Sequence, residues 1–115
     1  MTRTLACGTE AVLVECADLA EAQAWFAALH DHPEVVEAVL GARTVLLRGE
    51  PAALRRAVAG TRPAGAATAR PDGPPVVVPV VYDGEDLVEV ARLTGLTPDE
   101  VVATHTARTW RVGFS

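Results

Sequence analysis

The sequence predicts an α+β fold: a two-layer ββαββα sandwich over residues 1–60, followed after a linker by two more helices and two more strands. Three observations predict it. Short apolar strand-like runs alternate with helical stripes in that order over the first part of the chain. A stretch rich in Ala, Gly, Pro, Thr and Arg, without periodicity, then occupies residues 61–75. Helix start and stop signals resume only beyond it.

Thr4 to Cys7 and Ala11 to Cys16 read as the two arms of a hairpin around Gly8-Thr9-Glu10. If Cys7 lies near Ala11, Cys16 lies opposite Thr2, too far along the ladder for a disulfide, so both cysteines are expected as reduced, half-buried thiols. Asp18 caps a helix, with Glu21 placed to complete a capping box. Leu19, Ala22, Phe26 and Leu29 form its inner stripe and Trp25 its margin, and Pro33 ends it near Asp31 or His32. Val35 to Leu40 and Thr44 to Gly49 make the second strand pair through a turn at Gly41-Ala42-Arg43. Glu50-Pro51 opens a helix that turns Leu54, Ala57 and Val58 inward and stops at Gly60.

After the linker, Val76 to Tyr82 reads as a strand, with Pro79 at an edge or bulge. Glu85 to Thr94 is an amphipathic helix ended by Gly95, and Thr97-Pro98-Asp99-Glu100 starts another that carries Val101, Val102 and His105 on one face. Thr109 to Phe114 reads as a final strand. No repeat relates the two halves of the chain. Two short helices and two strands hold too little apolar material for an interior of their own, so this part is expected to dock on something larger.

Composition excludes several classes. The formal net charge is −5 and the arginines are scattered, so no basic stripe exists for a nucleic acid. No apolar run approaches the roughly 20 residues that span a bilayer. The start Met1-Thr2-Arg3-Thr4 leads into no signal-peptide core, which makes a cytoplasmic location the expectation.

Gly8-Thr9-Glu10-Ala11-Val12-Leu13-Val14-Glu15 is similar to a Gly-Asp-x-Ala-Leu-Leu-Val-Glu motif, and Ala42 to Leu47 to a Tyr-Arg-Ser-Leu-Leu-Val strand. More specific is Pro79-Val80-Val81-Tyr82-Asp83-Gly84-Glu85-Asp86-Leu87, followed by Val90-Ala91, Gly95-Leu96-Thr97, Glu100-Val101 and His105-Thr106 leading to Trp110-Arg111-Val112. In that order these segments resemble the family of 5-oxoprolinase subunits and sporulation kinase inhibitors, also described as allophanate hydrolase subunit 1 or a carboxyltransferase C/D domain. The resemblance implies that residues 76–115 are the incomplete start of a cyclophilin-like β-barrel domain. Gly113-Phe114-Ser115 would open the family's Gly-Phe-x-Pro-Gly-Phe segment, or Val112 to Ser115 would form the strand before it. Two departures stand out: Thr9 replaces an Asp, and Arg108 stands where Pro is common.

The activity implied is that of one component of a bacterial ATP-dependent 5-oxoprolinase, which opens 5-oxoproline to glutamate. The chain would be inactive alone, with ATP used only in the full complex and other 5-oxoprolinase-type subunits as partners. The alternative is an interaction module of the kinase-inhibitor branch, with a histidine kinase as partner. A remnant with neither role would leave the last forty residues open to proteases.

Two residues are candidate catalytic groups. His105, at a helix C-terminus, suits an acid or an anion ligand, and Arg111 suits bidentate binding of a carboxylate or phosphate. Plainer readings are a helix-end histidine bonded to carbonyls and a surface arginine paired with an acid. His30 and His32 have the spacing of a metal pair but no obvious third ligand. The acids Glu85, Asp86, Glu89, Asp99 and Glu100 sit at helix starts, where the dipole explains them. No nucleophile elbow is present, and Gly41-Ala42-Arg43-Thr44 lacks the spacing and lysine of a phosphate loop.

Overall fold

The computed structural model of the chain describes residues 2–65 and 73–115, so the centre of the expected linker lies outside the described residues. The chain divides into two compact units, residues 1–70 with 112–115 and residues 71–111.

The first unit is an α+β sandwich. Strands β1 (Arg3–Ala6), β2 (Ala11–Glu15), β3 (Glu37–Leu40) and β4 (Thr44–Arg48) form one antiparallel sheet in the order β1-β2-β4-β3, with helices α1 (Leu19–Leu29) and α2 (Pro51–Gly60) packed on it. Register fixes which side is buried. Val12 pairs with Leu47 and Val14 with Val45, and these four residues, fully enclosed, face Ala22, Trp25, Leu29, Leu54, Ala57 and Val58 of the two helices. Both helices therefore cover the same sheet face. The opposite face carries a half-buried row of Leu5, Leu13 and Leu46, with Val39 more exposed at its end.

A repeat exists inside this unit, though none joins the two halves of the chain. The central pair Leu13↔Leu46 is 33 residues apart, and the same shift carries the bond Cys16 N to Arg43 O (2.8 Å) onto Gly49 N to Glu10 O (2.9 Å), reversing donor and acceptor strands. Each half is thus a ββα unit related to the other by a pseudo-two-fold axis through the sheet. At the second crossover Gly49 has φ +150°, and a Cβ there would meet Glu34 O at 2.6 Å, so only glycine fits the close approach.

The hairpin register places Cys7 N on Ala11 O (3.0 Å), as the spacing of the cysteines predicts. Cys16 is buried, but Cys7 is exposed rather than half-buried because it lies just past the ladder.

Helix α1 begins where Asp18 Oδ1 accepts from Glu21 N (2.8 Å). Glu21 does not close the box on Asp18; its carboxylate accepts from Ala17 N and from the Thr2 hydroxyl. These contacts, the Ala17 amide foremost, hold Glu21 below the ordinary carboxylate range. Trp25 is inside the core, not at its margin, because its indole N–H finds Thr2 Oγ1 at 3.2 Å and can be buried without loss. Phe26 is the partly buried one, stacked on His30 at 5.2 Å.

Glu50 caps α2 through both carboxylate oxygens, accepting from Ala52 N (3.0 Å) and Ala53 N (2.7 Å). Those two bonds lower its pKa, so its contribution to stability is present above the ordinary carboxylate value and is lost as pH falls through the depressed one. Glu50→Gln should therefore lower the melting temperature at neutral pH and flatten its decline on acidification, a comparison that thermal melts across the acid range make directly.

The second unit holds α3 (Leu87–Thr94) and α4 (Pro98–Thr106). Gly95, at φ +70°, turns the chain out of α3, with Leu96 N closing on Ala91 O at 3.0 Å. Thr97 and Glu100 form the expected capping box (3.2 and 2.8 Å) that starts α4. The strands expected at Val76 to Tyr82 and Thr109 to Phe114 do not form. A strand exists only when its N–H and C=O groups have a ladder partner. None is offered to these segments among the described residues, and Pro74, Pro75 and Pro79 remove three donors in and just before the first. Among the described residues of this unit only Ala91 is buried, at 4% exposure, while Val76, Val77, Val78, Val80, Val81, Val88, Leu93 and Trp110 all face outward.

Candidate functional site

His105 occupies the last turn of α4, four residues beyond the half-buried Val101, and so stands at the end of the helix's better-covered side. Three aromatic rings meet there. Tyr82 Oη lies 2.6 Å from His105 Nδ1, with the rings edge-on at 5.8 Å. Trp110 tilts over the imidazole at 5.3 Å, and its indole N–H donates to His105 O at 2.7 Å, capping a carbonyl that the helix end leaves open. The Arg108 guanidinium sits 5.9 Å from the Trp110 ring centre, within cation–π range. Arg111 is exposed at the end of the same unit.

Tyr82, Trp110 and Arg108 are not among the residues that sequence reasoning singles out as candidates. Tyr82 lies 23 residues from His105, a separation that carries no periodic signal, whereas Trp110 just past the end of the His105 helix is a cue available in the sequence.

The remaining candidates are accounted for locally. His30 engages Phe26 O (3.0 Å) through Nδ1 and Asp31 (2.9 Å) through Nε2, while His32 Nδ1 accepts from Glu34 N at 3.2 Å. They do not converge, and no cluster of three metal-ligating side chains occurs among the described residues. Glu89 forms a bidentate pair with Arg92 (2.9 and 2.6 Å), which pulls its carboxyl down, and Glu100 serves its cap. An open cavity of about 460 Å³ lies beside Val36, Glu10 and the start of α2. Two of its charged groups are already engaged, Arg48 by Glu37 at 2.7 Å and Glu50 by the α2 amides.

Burial, with smaller effects from Glu21 and Asp18, pushes the Cys16 thiol up to about 11. A thiol reagent at neutral pH should thus modify Cys7 alone in the native chain and both cysteines after unfolding, as counted by mass spectrometry.

The Gly41 to Thr44 segment is not a phosphate loop for ATP. Gly41-Ala42-Arg43-Thr44 is a tight hairpin turn closed by Gly41 N on Thr44 O (2.8 Å), it opens no helix, and the sequence contains no lysine. No helix of the described residues is long and apolar enough to cross a membrane.

The fold and cluster define an α+β protein whose sandwich is joined to a helical hairpin with aromatic residues around a histidine. The chain belongs to the family described as carboxyltransferase domain, subdomain C and D, whose family model matches residues 2–115. No curated protein matches it significantly.

Proposed function

We propose that the chain is one component of an ATP-dependent hydrolase of the 5-oxoprolinase type, opening 5-oxoproline to glutamate only in complex with partner subunits. The observation that carries this reading is a family match running through both units, over residues 2–115. The valine run supports the need for a partner. Val76 to Val81 is apolar at consecutive positions apart from Pro79, the pattern of a strand covered on both faces, yet it is exposed. Residues 76–115 are accordingly read as part of a cyclophilin-like carboxyltransferase domain, with 76–82 and 109–114 becoming strands once paired.

In this reading ATP is bound by a partner chain, in the cytoplasm. His105 serves as acid or anion ligand, and Arg111 holds the substrate carboxylate. Reconstitution tests it: glutamate should form from 5-oxoproline and ATP when partner subunits and this chain are combined, and not when either is omitted. Turnover by the purified chain alone would overturn the proposal.

The second reading, an interaction module for a histidine kinase, is favoured by the same exposed apolar residues. A helical partner, however, is matched by anchors at helical spacing, which a continuous valine run does not provide. Co-purification with a histidine kinase instead of hydrolase subunits would reverse this preference.

A further inference from the structure

We infer that Tyr82 fixes the tautomer of His105, so that its Nε2–H faces outward as a permanent donor and the cluster binds a carboxylate. The argument begins with a distance. At 2.6 Å, Tyr82 Oη and His105 Nδ1 are closer than the roughly 2.7–3.2 Å usual when an N–H donates to oxygen, and within the range of O–H donors. A phenol O–H is also the stronger donor of the two groups, and an imidazole nitrogen the stronger acceptor. Tyr82 therefore donates to Nδ1, which leaves the neutral ring's proton on Nε2.

Nε2 makes no hydrogen bond among the described residues, and His105 is exposed. If the ring takes a second proton it goes to Nδ1, with Tyr82 turning to accept, and Nε2–H is unchanged. His105 thus presents a donor in both charge states and is not built as a base. Trp110 occupies the His105 carbonyl, which would otherwise repel an anion, and brings the Arg108 guanidinium to the same aromatic group. One N–H donor and one guanidinium suit a singly charged carboxylate. Tyr82 is a positioning residue acting through His105.

This rests on the geometry of the second unit and not on the 5-oxoprolinase reading. Its test uses acetate as probe and nitrogen NMR of the His105 ring in the full chain, at mildly alkaline pH where imidazoles are neutral. The expected result is the Nε2–H tautomer, with a saturable acetate shift exceeding that from chloride at equal ionic strength. Tyr82→Phe should mix the tautomers and weaken acetate about tenfold, the loss of one positioned donor. An Nδ1–H tautomer in the unaltered chain, or an acetate shift no larger than chloride's, overturns the site. Unchanged acetate binding in Tyr82→Phe overturns the role of Tyr82. None of these readouts depends on hydrolase activity.

Discussion

Leu54→Ala should destabilise the sandwich by about 3 kcal/mol, the middle of the range for removing a fully enclosed leucine. Leu54 is at 0% exposure in the cluster that joins α2 to the sheet. It also packs beneath Gly49, where the chain approaches Glu34 O and has little freedom to collapse into the space left behind. A domain of this size has only about 5–15 kcal/mol of stability to lose. Urea titration read by the fluorescence of Trp25, which lies in the same core, should show the midpoint fall with little change in slope. A loss below about 1 kcal/mol would mean that α2 is not held by this core.

Asp substitutions at Val77 and Val78 should have the opposite character. Both side chains are exposed, at 88% and 70%, so neither change should move the melting temperature of the isolated chain appreciably. Neighbours on a strand point to opposite faces. If the run is covered on both sides by a partner, each substitution buries a carboxylate in the complex and should weaken assembly at least about a hundredfold. Calorimetry with the reconstituted partner subunits measures it. A loss at one position only would show a strand covered on a single face.

The first unit was largely legible because its signals are local. The cap residue Asp18, the helix start at Glu50-Pro51 and the turn at Gly41 fix elements without reference to anything distant. What was missed there depends on partners far along the chain. Trp25 lies inward because of Thr2, and Glu21 reaches past Asp18 because Ala17 N and Thr2 are within its grasp. The pseudo-two-fold relation was hidden because it preserves hydrogen-bond geometry and apolar pattern rather than residue identity.

In the second unit the helices were readable from Gly95 and Thr97, and the strands were not, since β-propensity describes what a segment does once a neighbouring strand is supplied. The site was half visible. His105 stood out by its place at a helix end, whereas its contact with Tyr82 is a product of the tertiary fold.

Hydrogen exchange over residues 76–82 and 109–111 tests the central claim, that the second unit lacks an interior and is completed by a partner. In the isolated chain these amides should exchange at nearly unprotected rates while β2 and β4 stay protected, and adding the partner subunits should slow them strongly. Protection of both segments in the isolated chain, equal to that of the sandwich, would contradict the account.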